Sequence, residues 1–249
     1  MRRWIRRVTP ARRSPHPAAA PGAAAPPGAP DLRIVEDLVL RPPQDGEGDA
    51  AIEVRGHREN VGGHWDEIGR LQLAFMREEG LRPDHTLLDI ACGSLRGGVH
   101  FIPYLEPGHY LWLDRERRLI ELGCEQELGA ALVAERRPEF VVSDRFAFHR
   151  FSRRPDLSIA QSLFTHLDPD DLTLCLGNLR AFVAPGHRLM ATYQPGSPEQ
   201  NPDRSHAHHG FRYPAERLIA LGAATGWVGT EVGAWGHPRG QRMIRFRAV

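Results

Sequence analysis

Lysine is absent from this 249-residue chain, and all 32 of its basic residues are arginine. The chain therefore has no side-chain amine for Schiff-base chemistry or for a catalytic lysine. Basic and acidic residues nearly balance, at 32 against 31, and the formal charge of +1 provides no overall field to attract nucleic acid or an anionic membrane. Partners must be inferred from individual sites.

Cysteine is scarce, and no long apolar run occurs. Cys92, Cys124 and Cys175 are far apart and form no CxxC pair, which argues against a disulfide framework and a zinc site and indicates a reducing compartment. A membrane-spanning helix needs about 20 consecutive apolar residues, and no run approaches that length. We therefore predict a cytoplasmic protein without a membrane partner.

Acidic residues are missing from the first 30 positions, which consist mostly of arginine, proline, alanine and glycine. This composition lacks the apolar face that would offset the entropy of ordering, and it predicts a disordered tail. Six arginines before Ser14 leave a targeting or polyanion-binding arm as the alternative. Residues 31–60 are predicted as a linker with a short strand in LRIVEDLVL, and residues 61–249 as one compact domain.

Short apolar runs alternate with helical patterns along that domain. The predicted strands are TLLDIA, HYLWLD, FVVSD, LSIAQS and HRLMATY. Helices are predicted before the first strand, over residues 115–135, and after Asp168, which is a typical N-cap. This alternation predicts an α/β fold in which parallel strands are joined by crossover helices. WVGTEVGAW and RMIRFRAV, separated by a short turn, predict a C-terminal hairpin.

The segment LLDIACGSLRGG, residues 87–98, ends an apolar run in an acid and continues into a glycine-rich loop. Such a strand, loop and helix bring backbone amides close to a ligand at the carboxyl edge of the sheet. The GxGxxG spacing of a dinucleotide site is missing. A nicotinamide-dependent oxidoreductase therefore remains only as a rival interpretation, although an acid ending the second strand would bind ribose there too.

DIACGSLRGG resembles the first motif of class I S-adenosylmethionine-dependent methyltransferases, with Ala91 in place of the usual first glycine. GGHWDEIGRLQL, AQSLFTHL and GAWGHPRGQRM extend the resemblance to a small bacterial group with DIxCGSLRGG and WGHPRGQ motifs. The resemblance implies a Rossmann-like, seven-stranded, mostly parallel sheet with helices on both faces and the last hairpin strand antiparallel. It also implies S-adenosyl-L-methionine as the cofactor.

The resemblance assigns cofactor contacts to residues that follow the strands. Asp89 would face the methionine half of the cofactor together with the turn formed by Ala91, Cys92, Gly93 and Ser94. Asp114 would accept the ribose hydroxyl hydrogens. Each acid can instead be a helix N-cap. Asp89, Asp114 and Asp144 lie at three successive strand ends, however, and this arrangement favours ligand contacts.

Four further cofactor candidates complete the set, and one of them, Trp65, precedes the first strand. Asp144 and Arg145 would lie beside the adenine ring, and Gln161 follows the fourth strand. Trp65 either covers the sulfonium through a cation–π contact or packs its helix on the sheet.

The acceptor side is predicted in the later loops. His166, His237 and Arg239 are the catalytic candidates, because a histidine near neutral pKa can take a hydroxyl proton. The alternatives are a structural histidine at 166 and a turn-stabilising pair at 237 and 239. The long loop also carries Tyr213 and the HAHH segment, whose histidines suit a metal beside Asp203, but loop histidines without a second cluster are more often solvated, so we predict no metal.

The predicted function is transfer of a methyl group to oxygen or nitrogen of a small molecule, such as a natural product or sugar. The fourth strand continues as AQSLF and lacks the Asn-Pro-Pro-Tyr signature of base methylation, which disfavours nucleic acid as the acceptor. A non-catalytic cofactor-binding regulator is the other alternative, supported by the basic tail. The oligomeric state is left open.

Overall fold

The computed structural model describes residues 34–36 and 41–249. The predicted disordered tail and most of LRIVEDLVL lie outside the described residues. The strands are β1 (Ile34–Glu36), β2 (Leu87–Ile90), β3 (Tyr110–Asp114), β4 (Glu139–Val142), β5 (Leu157–Ala160), β6 (Arg188–Tyr193), β7 (Trp227–Ala234) and β8 (Arg242–Ala248). The α-helices are α1 (Asp49–Arg55), α2 (His57–Asn60), α3 (Trp65–Glu78), α4 (Gly98–Tyr104), α5 (Arg117–Leu122), α6 (Ala130–Arg136), α7 (Pro169–Phe182) and α8 (Ala215–Ala224).

The eight strands within the described residues form one sheet in the order β1-β4-β3-β2-β5-β6-β8-β7. Strands β1 to β6 pair in parallel, and β8 is antiparallel to both β6 and β7. The prediction of a mostly parallel α/β sheet with an antiparallel C-terminal strand is confirmed. The sheet has one strand more than predicted, because β1 adds to its edge beside β4, about 100 residues further along the chain.

The central strands are buried throughout because helices cover both faces of the sheet. All residues of β2, β3, β4 and β5 are buried. One face packs against α7 and α8 through a cluster that includes Leu88, Leu172 and Leu218. The other face packs against α3 and α4 through a cluster that includes Trp112, Met76 and Phe101.

Of two helices predicted from the sequence, one has the predicted N-cap and the other is divided into shorter segments. Asp168 caps α7 as predicted, and its Oδ1 accepts the N–H groups of Asp170 at 3.0 Å and Asp171 at 2.9 Å. The helix predicted over residues 115–135 is divided instead into α5, a π-helical segment (Gly123–Leu128) and α6. Gly129 separates the π-helical segment from α6. Its φ of 78° is a backbone conformation that residues with a side chain rarely adopt.

The segment expected as a linker contributes ordered structure to the domain. Helices α1 and α2 precede residue 61, and Ile52 of α1 is buried against Leu119 and Leu122 of α5. The predicted boundary between linker and domain therefore does not coincide with a change in packing. None of the helices in residues 34–36 and 41–249 is both long and apolar enough to cross a membrane.

The crossing of α3 and α4 depends on Gly69, and a pair of glycine substitutions tests this contact. A Cβ at position 69 would lie 2.4 Å from the Arg96 carbonyl oxygen, whereas one at Gly177 in α7 would meet nothing within 4 Å. We expect Gly69→Ala to lower the free energy of unfolding by about 1 to 3 kcal/mol through overpacking. Gly177→Ala should raise it by up to about 1 kcal/mol, because alanine favours helix. Urea denaturation measures both, and equal effects would contradict the close contact.

Candidate functional site

A cavity of about 700 Å³ opens at the carboxyl ends of the parallel strands. It lies where the strand order reverses, because β3 and β5 flank β2 on opposite sides. Nine of the thirteen predicted site residues line it: Asp89, Ala91, Cys92, Gly93, Asp114, Gln161, His166, His237 and Arg239. The sheet therefore brings together candidates that are up to 150 residues apart in sequence.

The turn after β2 is held in an unusual backbone conformation. Ala91, Gly93 and Leu95 all have positive φ angles, of 58°, 59° and 76°. A Cβ at position 93 would lie only 2.4 Å from Cγ1 of Val61, so only glycine allows the turn to approach the segment before α3. Positive φ at two residues that carry side chains indicates strain of the kind that clusters at functional sites.

Two buried carboxylates flank this turn. Asp114 Oδ2 accepts the Gly93 N–H at 2.7 Å and Oδ1 accepts the Glu116 N–H at 2.9 Å, while Asp89 accepts the Tyr110 hydroxyl at 2.7 Å. Burial raises the pKa of Asp89 to about 7, against the opposing effect of the Tyr110 hydrogen bond. Burial also raises the pKa of Asp114. A ligand that brings positive charge or hydroxyl donors would stabilise both carboxylates.

Arg96 is a site residue that the sequence analysis missed. Its Nη1 donates to the carbonyl oxygens of Val61 at 2.9 Å and Gly63 at 2.8 Å, and its Nη2 donates to Gln161 Oε1 at 2.5 Å. Its Nε is buried and has no hydrogen-bond partner among the described residues. Burial lowers the pKa of Arg96 to about 10. The available signal was an isolated arginine inside a glycine loop.

Gln161, His237 and Arg239 form one corner of the cavity. Gln161 Nε2 lies 3.2 Å from His237 Nε2, and Arg239 Nη2 donates to the Gly62 carbonyl oxygen at 2.6 Å. Burial, followed by the charges of Arg96 and Arg239, lowers the pKa of His237 to about 4. The His237 ring is therefore neutral at physiological pH and can act as a hydrogen-bond acceptor.

His166 lines the cavity after β5 in a defined tautomer. Its Nδ1 lies 3.2 Å from the carbonyl oxygen of His209. A carbonyl only accepts, so Nδ1 carries the proton and the neutral ring has its free electron pair on Nε2. Burial lowers the pKa of His166. This arrangement suits a proton acceptor more than a cation.

The N-terminal strap (residues 41–60), also missed, contributes Arg55, Glu59 and Asn60 to the cavity wall. Glu47 has a fully buried side chain that pairs with Arg115 and accepts the Ala207 N–H at 2.8 Å. Burial raises the pKa of Glu47, but the N–H groups of Ala207 and Gln44 and the Arg115 guanidinium outweigh it, and the net pKa is lowered. Glu47 thus connects the strap to the end of β3 and to the long loop (residues 194–213).

Four predicted site residues do not line the cavity. Trp65 lies edge-to-face with His57, with ring centroids 5.5 Å apart, and the Arg58 guanidinium covers its ring at 4.9 Å. Ser94 donates to the His57 carbonyl oxygen at 3.2 Å. Asp144 accepts the Arg41 N–H at 2.6 Å, and Arg145 lies beside it, where its carbonyl accepts from the Asn178 amide at 2.9 Å. Their assigned cofactor contacts remain predictions.

The HAHH segment forms part of the cavity wall. The rings of His206 and His209 stack with centroids 3.9 Å apart, and His208 lies 2.7 Å from Arg55 Nη1. Within residues 34–36 and 41–249, no group of three or more His, Cys, Asp or Glu side chains is arranged to hold a metal ion.

Solved structures with the same architecture were found, although no family model matches the sequence. Magnesium protoporphyrin IX methyltransferase from Synechocystis PCC 6803 with bound SAM is 12% identical, with a TM-score of 0.57 over 83% of this chain and 100% of that one. The architecture that the two structures share is the Rossmann-like fold of class I methyltransferases. Glycopeptide N-methyltransferase MtfA, complexed with S-adenosyl-L-homocysteine, is 15% identical, with a TM-score of 0.58 over 80% of this chain and 98% of that one. DhpI, in complex with SAH, is 18% identical, with a TM-score of 0.57 over 80% and 94%.

The neutral state of His237 can be measured directly by NMR titration of its ring protons. We expect a pKa of about 4 in the native protein. Arg239→Gln should raise this pKa, because it removes one of the two guanidinium charges that oppose protonation. Arg82→Gln, which removes an exposed arginine paired with Asp84, should leave it unchanged. A native pKa near that of free histidine would contradict the burial of this corner.

Proposed function

We propose that this protein transfers a methyl group from S-adenosyl-L-methionine to an oxygen or nitrogen atom of a small-molecule acceptor. The observation that carries the proposal is the pair of buried carboxylates, Asp89 and Asp114, on either side of a strained glycine turn and in the wall of a large cavity. These acids lie at the ends of adjacent strands, at the switch point where α/β sheets bind ligands.

The chemistry of the cavity matches that cofactor. Asp114 has two further lone-pair sites for a pair of ribose hydroxyls, in addition to the two N–H groups that it accepts. Asp89 lacks an ion-pair partner within 4 Å among the described residues, and an ammonium group would offset its burial. Arg96 lines the cavity with a guanidinium that has no carboxylate partner within 4 Å among the described residues, which suits a carboxylate of the ligand. Amino, carboxylate and ribose groups therefore each find a complementary residue.

The cofactor supplies an electrophilic methyl group when bound, and the chain's own residues supply position and proton transfer. Displacement at a methyl carbon requires the nucleophile in line at about 3 to 3.5 Å, so the walls of the cavity contribute by holding the acceptor. His166 Nε2 carries a free electron pair and can accept the proton that a hydroxyl or amine acceptor loses on methylation. Gln161 accepts from Arg96 and donates to Ser162 Oγ at 2.8 Å, so it holds this corner of the cavity in place.

The named activities of the structural neighbours support a small acceptor. One is a magnesium protoporphyrin IX methyltransferase and another a glycopeptide N-methyltransferase. The three cysteines are free and buried, which suits a reducing compartment, and we propose the cytoplasm as the location.

Calorimetric titration with S-adenosylhomocysteine tests the cofactor and its site together. We expect micromolar binding, and Asp114→Asn should weaken it roughly tenfold or more, because the amide replaces one acceptor oxygen with a donor. Asp156→Asn is the matched control: Asp156 accepts the Thr86 N–H at 2.7 Å just before β2 and β5, away from the cavity. Its variant should bind the nucleoside as the native protein does.

A parallel titration with NAD tests the rival interpretation, a nicotinamide-dependent oxidoreductase. Binding of NAD in place of the nucleoside, or of neither, would overturn the proposal. Tight nucleoside binding without turnover on any acceptor would favour a regulator over an enzyme.

A further inference from the structure

Four arginines in the cavity wall have no carboxylate partner within 4 Å among the described residues. They contact neutral groups instead. Arg55 contacts Asn60 and His208, and Arg96 contacts backbone carbonyls and Gln161. Arg212 donates to the Pro195 carbonyl oxygen at 3.4 Å, and Arg239 donates to that of Gly62. Arg115 differs, because it pairs with Glu47 and Glu116.

The acids of the cavity are placed differently. Asp89, Asp114 and Glu116 follow β2 and β3. Arg212 follows β6 and Arg239 lies in the turn before β8, and both of these strands are on the other side of β5 in the sheet. The fourth acid, Glu59, lies beside Gly63 and has no arginine within 4 Å. Three of the four acids therefore follow β2 and β3, whereas Arg212 and Arg239, which have no carboxylate partner in the described part of the chain, come from the β6 and β8 side of the sheet and are called the basic end.

The proposed cofactor does not neutralise the basic end. S-adenosylmethionine has one carboxylate, one ammonium and one sulfonium, so it adds net positive charge. Its single carboxylate is matched by Arg96, whose buried Nε is unpartnered and whose charge interacts with that of Asp89. The guanidinium groups of Arg55, Arg212 and Arg239 remain for another ligand.

We propose that the acceptor carries an anionic oxygen group, a carboxylate or a phosphate, which is bound at the basic end by Arg212 and Arg239 with Arg55 at the rim. This inference rests on the proposed function, since it assigns the acceptor of the same site. Leu163, Leu167 and Phe211 line the same region, so the acceptor has an apolar body beside its anionic group. Guanidinium groups bind both kinds of anion through paired hydrogen bonds.

The electrostatics of the corner agree with an anion there. The charge of Arg239 lowers the pKa values of both Arg96 and His237, in each case after the larger effect of burial. Asp89 and Glu67 act in the opposite direction on Arg96 and His237, but the pKa of each is still lowered. An anion beside these groups relieves the repulsion that remains between them.

The test is calorimetric titration of the full chain, saturated with S-adenosylhomocysteine, at constant ionic strength. The probes are benzoate, phenyl phosphate and the neutral benzamide, which share an aromatic body. We expect at least one of the two anions to bind roughly tenfold or more tightly than benzamide, and the tighter of the two shows whether the group is a carboxylate or a phosphate. Equal binding of the anions and benzamide, or no binding of any probe, overturns the inference.

Single substitutions test whether Arg212 and Arg239 bind the anion. Arg212→Gln and Arg239→Gln should each weaken the preferred anion by roughly tenfold and leave benzamide unchanged. Arg82→Gln, an exposed arginine far from the cavity, is the control and should change neither. An arginine whose loss weakens S-adenosylhomocysteine as much as the anion belongs to the cofactor site, and this result for both variants overturns the inference.

The outcomes separate this inference from the proposed function. Failure of S-adenosylhomocysteine to bind contradicts the proposed function alone. The same three probes titrated into the cofactor-free protein then still test the basic end, with the same expected preference for an anion.

Discussion

The buried guanidinium of Arg96 joins three of the segments that line the cavity. It binds the carbonyl oxygens of Val61 and Gly63, before α3, and the Gln161 amide, after β5, while its own backbone belongs to the glycine loop. A buried cation without an opposing charge is costly unless its donors are satisfied. All three segments must therefore be in place together, and the shape of the cavity and its charge depend on the same contact.

The burial of Asp89 and Asp114, the acids beside the glycine turn, is unfavourable for the same reason. Burial raises the pKa of Asp89 to about 7 while it lowers that of Arg96 to about 10. Each shift measures how poorly the surroundings solvate the charged form. A ligand with an ammonium, hydroxyl groups and a carboxylate offsets these costs at once. Perturbed groups of opposite sign in one cavity are typical of binding sites.

The sequence predicted the parts of the site that follow a local pattern. Asp89 and Asp114 were predictable because each ends an apolar run, and parallel strands bring their carboxyl ends to one edge of the sheet. Glu47 was not, because its contact with Ala207 spans 160 residues and RPPQDGEGD reads as a polar linker. Strand β1 was anticipated as a short strand but not as a member of the sheet, for the same reason. Arg96 looks like a solvated loop arginine until its acceptors are placed around it.

The N-terminal strap and the long loop govern how strongly the basic end attracts an anion. Two opposite charges 4 Å apart interact by about 1 kcal/mol in water but by about 4 kcal/mol at the effective dielectric of a protein surface cleft. Arg212 and Arg239 are exposed, whereas Glu47, which connects strap and loop, is fully buried. Glu47 joins the strap to the long loop through the Ala207 N–H, and residues of both segments line the cavity. A residue outside the cavity wall thus positions two segments that supply arginines to it, Arg55 and Arg212.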